Sequence, residues 1–153
     1  MNESQMVRVV FSLDAKQSGG IETERLWASP QPDGTYVLEN SPFHAYGVSY
    51  RDAVYVNVEN GNLVFAKVAR RGGHSTYRVR LPKGKDQGYF LEFWPQLAQL
   101  GCTYERTSDE RQIYSLDLPP TVSVHAVYDV LTHLEEAGIA EFEEAHYCEP
   151  ARH

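Results

Sequence analysis

Apolar and polar residues alternate in short runs through the first 70 residues, and none of these runs keeps a helical period. MVRVVFSL (6–13) is β-branched and apolar enough for a first strand, and AKQSGG after it reads as a loop. RLWAS and TYVLEN flank Pro32-Asp33-Gly34, where proline presets φ and glycine permits positive φ, so the pair predicts a hairpin. AVYVNV and LVFAKVARR predict a second one, closed by the tight-turn signal Asn60-Gly61. Roughly five short strands in ~65 residues suit a small, strongly bent barrel of the SH3-like kind; an open sheet is the less favoured arrangement.

After Gly72-Gly73 the rhythm changes. In STYRVRLPK, Tyr77, Val79 and Leu81 point one way and Arg78 and Arg80 the other. GYFLEFWPQLAQLG has a helical spacing and ends at Gly101, with Pro95 expected to kink or break it. CTYERTS and QIYSLDLP predict a hairpin turning near Asp109-Glu110. SVHAVYDVLTHLEEAG predicts a helix with Ser123 as its cap, an apolar stripe, and Gly138 as its stop. AEFEEAHYC supplies a last strand. The order β-α-β-β-α-β is the ferredoxin-like plan. The expected architecture is thus α+β, with a barrel module over 1–72 and a ferredoxin-like module over 73–150.

In such a sheet the strand order is 4-1-3-2, so the last strand lies beside the first and the second at the far edge. Cys102 and Cys148 are then too distant for a disulfide, whose Cα atoms lie within about 7 Å. The same order sets Arg78 and Arg80 against Glu141, Glu143 or Glu144.

Composition adds three constraints. A chain of 153 residues with 42% hydrophobic and 12% aromatic residues has enough apolar side chain for a packed core. No export signal or membrane-length apolar window is visible, which predicts a cytoplasmic, non-membrane protein with reduced thiols. The net charge of −7 is segregated: seven basic residues and no acid between Lys67 and Lys85, seven acids and no Lys or Arg between Asp129 and Glu149.

The candidate chemistry is sparse. His74 and Ser75 are neighbours on a strand and point to opposite faces, so adjacency makes no catalytic pair, and no GxSxG elbow surrounds the serine. Arg70 to Thr76 reads as a structural junction between modules, or else as an anion-binding loop using Arg70, Arg71 and backbone N–H groups. His146-Tyr147-Cys148 lacks the second ligand pair that a structural zinc needs; His153 ends the chain. No phosphate-cradling glycine motif occurs. Glu135-Glu136 and Glu143-Glu144 read first as a solvated face or protected edge, and secondly as a docking face for a basic partner. Trp27 and Trp94 read first as core anchors of the two halves and secondly as interface residues. No catalytic residue, metal or cofactor is expected.

The stretch LWASPQPDGTYVLENSPFHAYGVSYRDAVYV, with LVFAKVARRGGHSTYRV after it, resembles an uncharacterised bacterial family known only as a domain of unknown function. The matching positions are Trp27, Asn40, Pro42, Phe43, Gly47, Asp52, Gly73, His74, Ser75 and Thr76, within about residues 22–80. The resemblance implies a small cytosolic protein and carries no activity with it.

The expected function is therefore a non-catalytic protein-binding module, of the inhibitor or immunity type, docking a basic partner through Glu141, Glu143 and Glu144. The alternative is RNA binding, with Tyr77, Tyr104 and Tyr114 stacking bases and Arg70, Arg71, Arg78 and Arg80, beside His74, contacting phosphates. A small enzyme with a cleft between the modules is the third reading.

Overall fold

The computed structural model describes residues 5–108 and 111–149. The first five strands are β1 (Val7–Ser12), β2 (Thr23–Pro30), β3 (Tyr36–Leu38), β4 (Ala53–Glu59) and β5 (Asn62–Arg70). Neighbours pair antiparallel, and β1 closes the barrel by lying parallel to β5 through Val9↔Leu63 and Val10↔Val64. Closure leaves these strands no open edge. Alternation sends Leu26 and Ala28 of β2 inward to meet Val9, Phe11, Leu38 and Val54.

Both turn signals act as expected. Glu59 pairs with Asn62, and Asn60 and Gly61 between them take φ of 50° and 79°, a two-residue turn with both centres left-handed. At the first hairpin Gly34 has φ of 87°, and the Asp33 carboxylate accepts from the amide and hydroxyl of Thr35. Those bonds, chiefly the hydroxyl one, hold the exposed Asp33 carboxyl down at about 2.

Trp27 is not a core anchor. The period that buries Leu26 and Ala28 puts Trp27 outside, 39% exposed, with the Arg8 guanidinium 4.4 Å from its ring centre. Trp94 packs against the core of the second half, stacked on Phe90.

That half runs β6 (Ser75–Arg80), α1 (Gln87–Ala98), β7 (Thr103–Arg106), β8 (Ile113–Leu118), α2 (Val124–Glu136) and β9 (Glu141–His146). The sheet order is β7-β8-β6-β9, with the last strand against the first. Cys102 and Cys148 are both free thiols, the first just before edge strand β7 and the second just after edge strand β9. Asp86 and Ser123 cap the helices through the amides of Tyr89 and Ala126. Helix α1 continues through Pro95 instead of breaking there. The turn expected at Asp109-Glu110 lies outside the described residues, as does His153.

One face of the sheet packs on both helices, with Tyr77, Val79, Tyr114 and Leu116 meeting Phe90, Leu97, Val127 and Leu131. The opposite face is also covered, so all six residues of β8 and five of β6 are buried. Its cover is the long β3–β4 connection, residues 39–52. Among the described residues no helix is long and apolar enough to cross a membrane.

The passage from barrel to sheet is tight. A Cβ on Gly72 would stand 2.5 Å from the Arg51 carbonyl oxygen, a backbone atom that cannot swing aside. Gly72→Ala is therefore expected to destabilise the protein by about 2 kcal/mol or more, against about 1 kcal/mol for Gly61→Ala, which meets only the φ penalty. Urea unfolding of the two variants checks the order.

Candidate functional site

The connection 39–52 holds two antagonistic sets of backbone groups, and charged side chains satisfy both. From the barrel, Glu24 sits at the inward end of β2, and its carboxylate accepts from the amides of Phe43 (2.6 Å), His44 (3.0 Å) and Ala45 (2.8 Å). From the sheet, Arg78 donates to the carbonyls of Ala45 (2.7 Å), Pro42 (3.3 Å) and His44 (3.3 Å), and its Nε meets Glu143 at 2.8 Å. Glu105 of β7 takes the Ser41 amide at 2.8 Å, and Ser115 of β8 donates to the Pro42 carbonyl. A residue run that could pair neither as helix nor as strand is thus bonded amide by amide, as burial requires.

The far end of the connection is held in the same way. The Asp52 carboxylate accepts from the amides of Ser49 and Gly72 and pairs with Arg71 at 3.0 Å. Gly47, at φ of 80°, donates its amide to Ala145 at the irregularity in the β6–β9 register. The Ser49 hydroxyl lies 2.6 Å from Thr76 Oγ1 and 2.8 Å from His146 Nδ1.

GHST resolves into three structural contacts. His74 Nδ1 lies between both oxygens of Asp117, at 2.9 and 3.0 Å, with its ring edge-on to Tyr50. Burial raises the Asp117 carboxyl, and His74 offsets part of that rise. Ser75 Oγ accepts the Cys148 amide, and Thr76 bonds to Ser49. The serine and the histidine it follows serve different elements, which fits a junction and not a nucleophile with its base. Burial pushes the Cys102 thiol up to about 12, far from a reactive thiolate.

The basic candidates do not come together as a patch. Arg70 pairs with Asp33, Arg71 with Asp52, and Arg78 is 2% exposed inside the seam; among the described residues, the Arg80 side chain alone of the four makes neither a hydrogen bond nor an ion pair. The tyrosines proposed for base stacking are corrected by the fold. Tyr77 and Tyr114 are 2% and 1% exposed on the helix-facing side, and Tyr104 packs against the same core. The period-2 pattern that put Arg78 opposite Tyr77 was legible; which face would be covered, and that both are, was not.

The acidic candidates lie together on the β9 edge and the adjoining α2. Glu143 is bonded to Arg78 and to the Tyr46 hydroxyl, and Glu144 takes the Tyr77 hydroxyl. Burial and that carboxylate raise the Tyr77 phenol well above its usual range. Asp129, Glu136 and Glu141 are exposed, and among the described residues none of them is in an ion pair; Tyr128 and Tyr147 stand 46% and 42% exposed nearby in the chain. Beside them opens a cleft of about 300 Å³ between the β1–β2 loop, the connection at 43–46 and the ends of β6 and β9. Sequence reasoning missed this cleft because its walls come from six separate stretches of chain between Gln17 and Glu143.

The profile of a family described as "Domain of unknown function (DUF4265)" matches residues 24–142. A solved structure from Neisseria gonorrhoeae, titled "Novel crystal structure of a hypothetical protein", is similar with a TM-score of 0.78. It is 18% identical, and the likeness covers 94% of this chain and 96% of that one. At that identity the likeness concerns the fold. No curated protein matches the sequence.

Two predictions follow from the seam. Arg78→Met is expected to cost about 3–5 kcal/mol, since it leaves buried carbonyls without donors; a loss below about 1 kcal/mol in urea unfolding would contradict the assignment. Burial, and then Arg71, lower the His146 pKa below its ordinary 6.5. The unfolded chain therefore binds more protons below that value, and stability falls as pH drops from about 6.5 through the folded pKa. His146→Gln should remove that slope between about pH 7 and 5, measured as the difference in urea midpoint from the wild type.

Proposed function

The chain belongs to this family of unknown function, and from that premise we propose that it is a non-catalytic module that docks a basic protein through the surface of β9 and α2. We read its barrel as SH3-like and its second unit as ferredoxin-like, two scaffolds bearing no chemistry of their own here. The observation that carries the reading is the layout of the acidic segment. Six of its seven acids, without one Lys or Arg among them, occupy two packed elements, and Glu149 follows β9. Among the described residues only Glu143 of the α2 and β9 acids is in an ion pair, and the exposed tyrosines Tyr128 and Tyr147 stand in the same segment. Uncompensated carboxylates steer a basic partner, and tyrosine is a favoured anchor at protein interfaces. An inhibitor or immunity-type role suits such a surface. The edge position of β9 also explains part of the charge, since carboxylates there oppose strand-to-strand association.

The test is capture from a lysate of the source organism, with and without RNase, on the immobilised wild type and on Asp129→Lys/Glu136→Lys/Glu141→Lys. These three are chosen because, among the described residues, their side chains make no hydrogen bond or ion pair, unlike Glu143 and Glu144. A stoichiometric basic protein that survives RNase, and whose affinity falls about tenfold or more in the triple variant, is the expected result. Retention of RNA, lost on RNase treatment, would contradict it.

A further inference from the structure

The cleft beside the acidic surface has a composition that docking does not use. Its main hollow, of about 300 Å³, is at the small end of the range for small-molecule sites. A second hollow of about 170 Å³ adjoins it, and Gln17, Ser18, His44 and Tyr46 line both. The second hollow runs down to Phe11, Leu13 and Phe65, with Phe11 and Phe65 stacked at 4.7 Å between ring centres. One end of the combined space is therefore charged, and the other sets an apolar floor of Phe11, Leu13 and Phe65 beside Ser12 and Asp14.

At the charged end most groups are already occupied. Arg78 and Glu143 neutralise each other, and one Glu135 oxygen accepts the Phe142 amide. Arg80 and Glu141 are different. They are direct cross-strand partners on β6 and β9, both exposed, and both line the hollow. Opposite charges so placed commonly pair, yet among the described residues neither lies within ion-pair distance of a counter-charge. The two stand apart at the cleft wall as one cation and one anion.

We propose that this cleft binds a free α-amino acid with an apolar side chain. The carboxylate lies on the Arg80 guanidinium, which offers a planar pair of donors to it. The ammonium lies on Glu141, with Glu135 adding negative charge from the end of α2. The side chain extends past Tyr46 toward Phe11 and Phe65, where burial of its methylenes adds affinity. The inference shares Glu141 with the docking surface, while Arg80 and the Phe11–Phe65 floor lie outside it, so Arg80→Gln tests the cleft without touching the docking acids.

Ligand-observed NMR and calorimetry on the full chain provide the test, with L-leucine and L-phenylalanine as probes. L-Leucinamide lacks the carboxylate, N-acetyl-L-leucine lacks the ammonium, and L-alanine lacks the long apolar side chain. Binding of leucine or phenylalanine is expected, with each of the other three weaker by about tenfold or more. Arg80→Gln and Glu141→Gln should each weaken it by a similar factor. Gln17→Trp, at an exposed position lining both hollows, should abolish binding by filling the passage. All three substitutions are at exposed positions, and an unchanged circular dichroism melt separates lost binding from lost folding. No binding of either probe at about 10 mM would overturn the proposal, as would leucinamide or N-acetyl-leucine matching leucine, or wild-type affinity in Arg80→Gln.

Discussion

A buried guanidinium sits where the barrel connection crosses the sheet. Arg78 has lost its water, and its compensation is three carbonyls and one carboxylate brought to it by residues 42–45 and Glu143, with the Tyr46 ring centre 4.6 Å from its guanidinium. Those same residues would have stranded amides if Glu24 did not accept from three of them in a row. Each charge is tolerable only because the connection is there, and the connection is ordered only because the charges are. Removing any one member leaves the others buried without partners, which is more costly than never having built the network.

This mutual dependence shapes everything outward from it. Because the connection covers the sheet, β6 and β8 are buried on both faces, and the sheet offers no open platform for a flat ligand. What stays open lies at the rim: the β9 edge, the exposed face of α2, and the cleft where the β1–β2 loop meets the strand ends. The histidines belong to the seam as well. His74 and His146 tie the junction and the last strand to Asp117 and Ser49, and in those places they hold structure.

Much of the fold was legible in the sequence because its signals are local. Asn60-Gly61, Pro32-Asp33-Gly34, the Ser123 cap and the stop at Gly138 each specify a turn or terminus within four residues. The switch of period after Gly73 marked the change from strands alone to strands with helices. Trp27 failed because size was weighed over alternation, and Arg8 supplies it with a surface partner that the pattern does not reveal. The motif residues Asn40, Pro42, Phe43, Gly47, Asp52 and His74 to Thr76 were visible as a set, but their purpose was not. Several of their partners, Glu105, Ser115, Asp117 and Ala145, lie 43 to 98 residues further along the chain. Only the fold shows that these residues build one seam.

The central claim is that the seam makes barrel and sheet a single cooperative unit instead of two modules on a linker. Native-state amide hydrogen exchange under low denaturant measures this directly. The slowest amides of the barrel core, at Val9, Leu26 and Val54, should open with the same free energy and the same denaturant dependence as those of Val79 and Leu116 in the sheet. A barrel set that exchanges through its own smaller opening, while the sheet remains protected, would contradict the account.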